Sequence, residues 1–372
     1  MLEGVVVLDC SRLLPGPFAT RWLAALGAQV IRVEAPGGGE APNPLGALLD
    51  AGKARIVVDL KTEQGRRDFL RLAARADVVL ESFRPGVSAR LGIDYATVRA
   101  VNPRLVYVSL TGWGQTGPLA PRAAHDINYL AVAGFFGLTR DRDGRPVLPG
   151  TQVADLVGSA QAVVGILAAL WERERTGRGR YLDVAMLDGA VAWQAVFLAP
   201  FLAGGPPPEP GGHALLGRYV CYNFYRTRDG RWMSLGALEP KFWRAFVDAV
   251  GRPEWLGGQW APADGQGLHR EVADLFAQRD QAAWTALGEE ADCCLFPVLE
   301  AEEAWHHPQV QTRVADGPQR RTLRFPLEAR PPAAPDLDGL LRSWGWSTGD
   351  IRRLRAVTAA SRRPAPGTEE DA

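Results

Sequence analysis

The opening of the chain confines it to a small set of folds. Gly4 to Asp9 is a short apolar run closing on an acid, Leu14 to Phe18 is a Pro/Gly turn, Ala19 to Leu26 has helical spacing, Gly27 stops it, and Gln29 to Glu34 is a second strand. Strand, turn, helix and strand in that order make the unit from which parallel sheets are built, because the helix must carry the chain back along the sheet before the next strand can run the same way. The pattern continues, with strands expected at Arg55 to Leu60, Asp77 to Glu81 and Leu105 to Leu110 and helices at Glu63 to Ala74 and from Gly86 to Leu91 or beyond. The first half is therefore read as an α/β domain of roughly five strands.

A sheet of this kind offers a crevice at the carboxyl ends of its strands, and the first turn says what does not bind there. The first turn, P-G-P, is not G-x-G-x-x-G, so no dinucleotide fingerprint is read there, and G-x-x-x-x-G-K-[ST] does not occur. Lys+Arg and Asp+Glu are 42 each, and the formal net charge of zero argues against a nucleic-acid partner. Only Lys53, Lys61 and Lys241 are lysines, so the positive charge is nearly all arginine, which suits forked contacts to phosphate and carboxylate. The 372 residues, 47% of them hydrophobic, are enough for two domains or one elaborated domain. Cys10, Cys221, Cys293 and Cys294 show no C-x-x-C spacing and read as reduced, mostly buried thiols with no metal to hold. The N-terminus lacks a basic segment followed by a long apolar one, and no apolar run is expected to reach membrane-spanning length. The expectation is a cytoplasmic protein without a membrane partner.

Val157 to Arg173 reads as a long apolar helix broken by Gly177 and Gly179 before a strand at Tyr181 to Ala185, and Met186 to Leu202 as a further, mainly buried helix. The Pro/Gly-rich stretch that follows Leu202 is the clearest change of composition and marks a boundary. Domains are accordingly expected at 1–202 (large, α/β) and 219–305 (small, α+β), with 203–218 as linker and 361–372 as a disordered polar tail. In the small domain a D-G turn at Arg228 to Gly230 joins strands at Tyr219 to Arg226 and Trp232 to Leu235, and Cys293-Cys294 reads as part of a buried strand. His306-His307 precedes Pro308 at a helix end, with no third ligand spaced to join it.

His125 in P-R-A-A-H-D-I-N-Y-L and Asp155 in V-A-D-L-V-G-S are titratable groups set in apolar stretches. Taking a proton from a carbon beside a carbonyl and returning one from the other side needs two groups that exchange acid and base roles, and an imidazole with a carboxyl is a workable pair. The pair alone does not decide, since a buried His or Asp is more often a hydrogen-bonded structural residue.

The wider sequence adds to it. G-W-G-Q-T-G-P (Gly112 to Pro118), A-H-D-I-N-Y (Ala124 to Tyr129), E-S-F-R-P-G-V (Glu81 to Val87) with A-R-L-G (Ala89 to Gly92), D-L-K (Asp59 to Lys61) and G-I-L-A-A-L-W-E-R (Gly165 to Arg173) together resemble the class III CoA-transferase (CaiB/BaiF) family, and within it most nearly the racemases. The resemblance implies a Rossmann-like large domain with a parallel sheet, a smaller α+β domain, and a segment 306–360 that returns to the large domain. It also implies an interlocked homodimer with each site shared between the large domain of one chain and the small domain of the other. By the same resemblance His125 and Asp155 exchange the α-proton of a 2-methylacyl-CoA thioester, the N–H groups of Asp126 and Ile127 stabilise the enolate oxygen, and Glu239 supports His125 across the dimer. Coenzyme A, as part of the substrate, is expected at Asp59, Leu60, Lys61, Ser82, Phe83, Arg84, Pro85, Gly86 and Arg90, with Ala124, Asn128 and Tyr129 beside the reacting pair, and neither metal nor redox cofactor is implied. In the family's transferases the same aspartate is a nucleophile, so the alternative is transfer of CoA between carboxylic acids through an anhydride on Asp155. His125 is the discriminator: transferases tend to read G-Y-D where this chain reads A-H-D, and a phenol cannot shuttle a proton near neutrality as an imidazole can. Two departures from the pattern are Ala35 in V-E-A-P and the L-V-G-S-A-Q that follows Asp155.

Overall fold

The structure, a computed structural model, describes residues 1–37, 45–141, 143–316, 321–323 and 333–360. It divides into two compact bodies: Met1–Phe135, Leu148–Trp193 and the described part of 314–372 form the first, and Phe136–Val147 with Gln194–Arg313 the second.

The first body is built on six strands, β1 (Val6–Cys10), β2 (Gln29–Glu34), β3 (Lys53–Val57), β4 (Val78–Glu81), β5 (Val106–Thr111) and β6 (Tyr181–Ala185), all parallel, in the order β3-β2-β1-β4-β5-β6. The connections are helical: α1 (Pro15–Ala25), α2 (Gly46–Leu49), α3 (Glu63–Ala73), α4 (Val87–Leu91), α5 (Tyr95–Val101), α6 (Asp126–Val132), α7 (Phe135–Leu138), which enters the second body, α8 (Val153–Thr176) and α9 (Met186–Ala192). Strands covered on both faces must be apolar on both, and β1, β4 and β5 are buried at every position. Chain order reverses between β1 and β4, which opens the crevice expected of a doubly wound sheet.

One polar knot sits inside this core. Lys53 Nζ donates to Asp9 Oδ2 at 3.0 Å, Thr20 Oγ1 at 2.7 Å and the Pro17 carbonyl at 2.9 Å, using all three of its protons. The Ser11 hydroxyl and the Thr20 hydroxyl also donate to Asp9. The knot holds the β1–α1 turn, so Pro-Gly-Pro is not the loop expected from sequence but the first turn of α1, with Pro15 at its first position, where a missing N–H costs nothing.

The second body contains α10 (Ala195–Leu202), the antiparallel sheet β7 (Tyr222–Arg226), β8 (Trp232–Gly236) and β9 (Leu295–Pro297), and the helices α11 (Pro240–Val250), α12 (Gly267–Phe276), α13 (Gln281–Ala291), α14 (Ala301–His306) and α15 (Pro308–Gln311). One face of the sheet is buried with an aromatic core of Tyr225, Trp243, Phe246, Phe276 and Trp284, in which Tyr225 stacks on Phe276 at 4.8 Å. The alternate side chains point the other way, and there Phe224 is 62% and Phe296 64% exposed, with Trp232 and Val298 beside them also exposed.

The chain then returns to the first body through β10 (Val314–Asp316), β11 (Arg321–Leu323), α16 (Leu337–Ser343) and α17 (Thr348–Ala360). Thr358 of α17 accepts from the Val57 N–H at 3.1 Å, and Arg353 pairs with Asp68, so the edge strand β3 is covered and not left open to pairing.

Several expectations are corrected. The body boundary falls at 193/194, before the Pro/Gly stretch at 203–218; residues 136–147 join the second body, and residues 306–313 stay with it. Met186 to Leu202 is two helices, broken at Trp193-Gln194, and α10 contains no buried residue. The strand near Cys293-Cys294 begins only at Leu295, because Asp292 and Cys294 take left-handed φ values of 46° and 59° that an extended ladder cannot absorb. By length and composition α8, with 24 residues, is long and apolar enough to cross a membrane; half of its apolar window is buried, since it is a crossover helix packed against α1 and α9. The tail at 361–372 lies outside the described residues.

Candidate functional site

The carboxyl ends of β1 to β4 surround a cleft of about 880 Å³. Its lining mixes apolar groups (Val33, Leu49, Val58, Leu60, Phe83) with charged ones (Arg12, Arg32, Glu34, Asp50, Arg55, Asp59, Lys61). Two of the arginines are engaged: Arg32 bonds Asp50 at 2.5 Å and lies 3.2 Å from Glu34, while Arg55 bonds Glu34 at 2.5 Å and lies 3.6 Å from Asp50. Arg12, Lys61, Arg84 and Arg90 are exposed, and among the described residues none of their side-chain charges is held in an ion pair.

The loop after β4 is fixed from beneath. The Phe83 N–H donates to the Glu81 carboxyl at 2.6 Å, the Ser109 hydroxyl donates to the same group at 2.5 Å, and the Arg12 N–H donates to Ser82 Oγ at 3.0 Å. Burial pushes Glu81 up to about 7, against the pull of those two bonds. Gly86 closes the loop at φ 80°, a left-handed value that opens α4.

Of the residues expected to hold coenzyme A, Asp59, Leu60, Lys61 and Phe83 line the cleft; Ser82, Arg84, Pro85, Gly86 and Arg90 continue past its lining, and Ala124, Asn128 and Tyr129 belong to a second cluster described below. Sequence reasoning missed Arg12, Arg32 and Arg55. The signal was there: an arginine inside V-I-R-V-E or K-A-R-I-V is out of place in a strand of a parallel sheet unless it faces a polar crevice.

The second cluster lies where α6 and α8 begin. His125 is the N-cap of α6: its N–H donates to Asn128 Oδ1 at 3.0 Å and its carbonyl accepts from the Asn128 N–H at 2.8 Å. The Asp126 and Ile127 amides stand in the first turn, where a helix has no acceptor of its own to offer. Tyr129, 7% exposed, donates its hydroxyl to the Ala124 carbonyl at 2.8 Å and meets Trp113 edge-on at 4.8 Å. A Cβ on Gly112 would fall 2.1 Å from that tyrosine ring, which is why G-W-G begins with glycine.

Asp155 sits in the first turn of α8, half-buried, and its N–H donates to Asp126 Oδ1 at 3.1 Å. Ser159, one turn on, donates to both the Asp155 and the Pro15 carbonyls and ties α8 to α1. Burial, then the charge of Asp126, pushes the Asp155 carboxyl up to about 7. Tyr129 is pushed up to about 12 by burial first and Asp155 next, with Arg84 opposing. The structure thus joins the starts of α6 and α8, with His125, Asp126 and Tyr129 on the first and Asp155 on the second. His125, at the capping position, is exposed.

Glu239 belongs to the second body, where it is the exposed N-cap of α11 ahead of Pro240; among the described residues its carboxylate has no hydrogen-bond or ion-pair partner. Among the described residues no three His, Cys, Asp or Glu side chains gather as a metal-ligand set, and His307 accepts from the Gln309 N–H as a helix cap. The four cysteines are unpaired.

Comparison with known proteins extends these observations. The sequence model of CoA-transferase family III matches residues 2–326. Alpha-methylacyl-CoA racemase of Mus musculus is 36% identical over 96% of this chain and 96% of its own. Acetyl-CoA:oxalate CoA-transferase of Acetobacter aceti is 33% identical over 84% of each chain. The crystal structure of a CaiB/BaiF family protein from Brucella suis aligns with a TM-score of 0.76 at 28% identity, covering 92% of this chain and 98% of that one. With the family pattern running through both bodies and the doubly wound sheet beneath it, the chain belongs to CoA-transferase family III and is an enzyme of that family.

Proposed function

We propose that the protein is a racemase of 2-methylacyl-CoA thioesters. The observation that carries this reading is the junction of α6 and α8, where the Asp155 N–H bonds Asp126 and so draws His125 and Asp155 to one edge of the sheet. A carboxyl pushed up to about 7 can hold a proton or release one near neutrality, as a residue must that serves as acid for one epimer and base for the other. In one direction His125 takes the α-proton, the electron pair moves onto the thioester oxygen, and Asp155 delivers its proton to the opposite face of the carbon. In the other direction the roles reverse. The Asp126 and Ile127 amides are the donors for the enolate oxygen, and a preorganised donor of that kind is worth about 3 kcal/mol. The cleft at β1 to β4 receives the coenzyme A portion, with Asp59, Leu60, Lys61, Arg84 and Arg90 as its contacts. The chemistry as written requires neither metal nor redox cofactor.

We further propose a homodimer in which Glu239 from a second copy supports His125. The exposed apolar face of β7 to β9 and the Glu239 carboxylate, which has no partner among the described residues, support this. The second reading, CoA transfer through an anhydride on Asp155, is favoured by one observation, the 33% identity to an acetyl-CoA:oxalate CoA-transferase.

Each epimer of a 2-methylacyl-CoA incubated in D2O should gain α-deuterium and convert to the other, and Asp155→Asn should slow exchange by on the order of a hundredfold or more. Transfer of CoA to a free acid faster than deuterium exchange on every 2-methylacyl-CoA tried, with an acyl group on Asp155 captured by hydroxylamine, would overturn the racemase reading in favour of the transferase.

A further inference from the structure

The Asp126 side chain has no part in the proton exchange just described, which uses only its amide. Its carboxylate nevertheless makes the one hydrogen bond described between the start of α6 and the start of α8, accepting from the Asp155 N–H at 3.1 Å. That bond caps the amide end of a 24-residue helix with a negative charge, an arrangement favoured by the helix dipole. The cost falls on Asp155, whose own carboxyl is in the same turn.

We propose that Asp126 is a positioning residue for Asp155: its carboxylate clamps the two helix starts together and sets a second negative charge one hydrogen bond from the turn that carries the Asp155 carboxyl. The proposal rests on the racemase reading for its kinetic consequence, although the geometry stands without it. Charged and titratable groups on the elements packed against the first half of α8 are His125, Asp126 and Tyr129 on α6, Arg21 on α1, Asp188 on α9, Tyr107 on β5, and Tyr181 and Asp183 on β6, with Arg84 from the β4 loop. Of these, Asp126 is the group that acts on the Asp155 carboxyl, adding to the effect of burial. A two-base exchange needs its carboxylic acid to keep a proton at the pH where its partner works, and a second carboxylate one hydrogen bond away is a means to that end.

Asp126→Asn separates the two duties, because the amide oxygen still accepts from the Asp155 N–H while the charge is gone. Asp126→Ala removes both. In Asp126→Asn the titration midpoint of Asp155, read directly by carbon-13 NMR of the full-length protein labelled at aspartate carboxyls, should fall by on the order of one unit. The exchange profiles should move with it. The two reactive forms, one with the shared proton on Asp155 and one with it on His125, carry the same number of protons, so both epimers show the same limbs, and the limb set by Asp155 shifts to lower pH for both, with the rate at pH 8 falling by roughly tenfold. Asp126→Ala should slow both epimers at every pH, and KM for the thioester should stay within about twofold in Asp126→Asn. An unmoved Asp155 midpoint in Asp126→Asn would overturn the proposal, as would equal slowing of both epimers with unshifted limbs. If wild-type protein exchanges no α-proton at all, the racemase reading fails while the NMR midpoint still decides the role of Asp126.

Discussion

Asp9 and Asp155 are both carboxyl groups of the first body, and the more deeply buried of the two is the stronger acid. Burial works against the charge of each. At Asp9 it is outweighed by Lys53, Ser11 and Thr20, which hold the carboxyl below its usual range. At Asp155 the charge that acts beside burial is another carboxylate, that of Asp126. The partner, not the depth, decides the protonation state. A core that needs a permanent ion pair finishes it with a lysine, whereas a site that needs a movable proton leaves the acid in unfavourable company.

The linkage to stability has opposite signs. A folded value below the unfolded one makes Asp9 a source of stability that is present at neutral pH and lost as pH falls through the folded value. Asp155, at about 7 when folded against a usual carboxylate near 4, does the reverse: ionising it costs stability, which declines as pH rises from about 4 to about 7.

The largest effect expected from this contrast is at Lys53. Lys53→Met strands the Asp9 charge in the core and should cost about 3–5 kcal/mol in urea unfolding, while Asp9→Asn combined with Lys53→Met should recover most of it. A single-variant loss below about 1 kcal/mol would remove the ion pair from the comparison. Next comes Arg84, the exposed cation whose field reaches Tyr129. Arg84→Ala should raise KM for the thioester roughly tenfold and leave the unfolding midpoint unchanged, as a lost charge-assisted contact to the ligand would. The smallest effect runs against the usual direction: Asp155→Asn should stabilise the protein by on the order of 1 kcal/mol at pH 8 and by nothing measurable at pH 4, read as a thermal shift at each pH.

The sheet was legible because its central strands are mostly apolar and its crossovers end on Gly27 and Gly177, signals that depend on neighbours in sequence. Asp155 and His125 were legible as chemistry for the same reason, each being out of character with its flanks. The Pro-Gly-Pro helix start was misread since its cause is a lysine far along the chain, and the break at Trp193-Gln194 carries no glycine or proline to announce it. Arg32 and Arg55 escaped because their partners, Glu34 and Asp50, face them only once the strands lie side by side. The Asp126 side chain escaped for a like reason: its bond to α8 spans residues that only the crossover brings together.

The cleft's internally paired arginines have a consequence for the speed of encounter. Two guanidinium groups facing two carboxylates project little field into solution, and a chain of zero formal net charge adds no long-range attraction. A polyanion such as coenzyme A then arrives by unassisted diffusion, with an association rate on the order of 10⁵–10⁶ M⁻¹s⁻¹ that changes little with added salt. Recognition is left to short range, where Arg12, Lys61, Arg84 and Arg90 act only on a ligand that has already arrived, and ionic strength will read out in the dissociation rate more than in the approach.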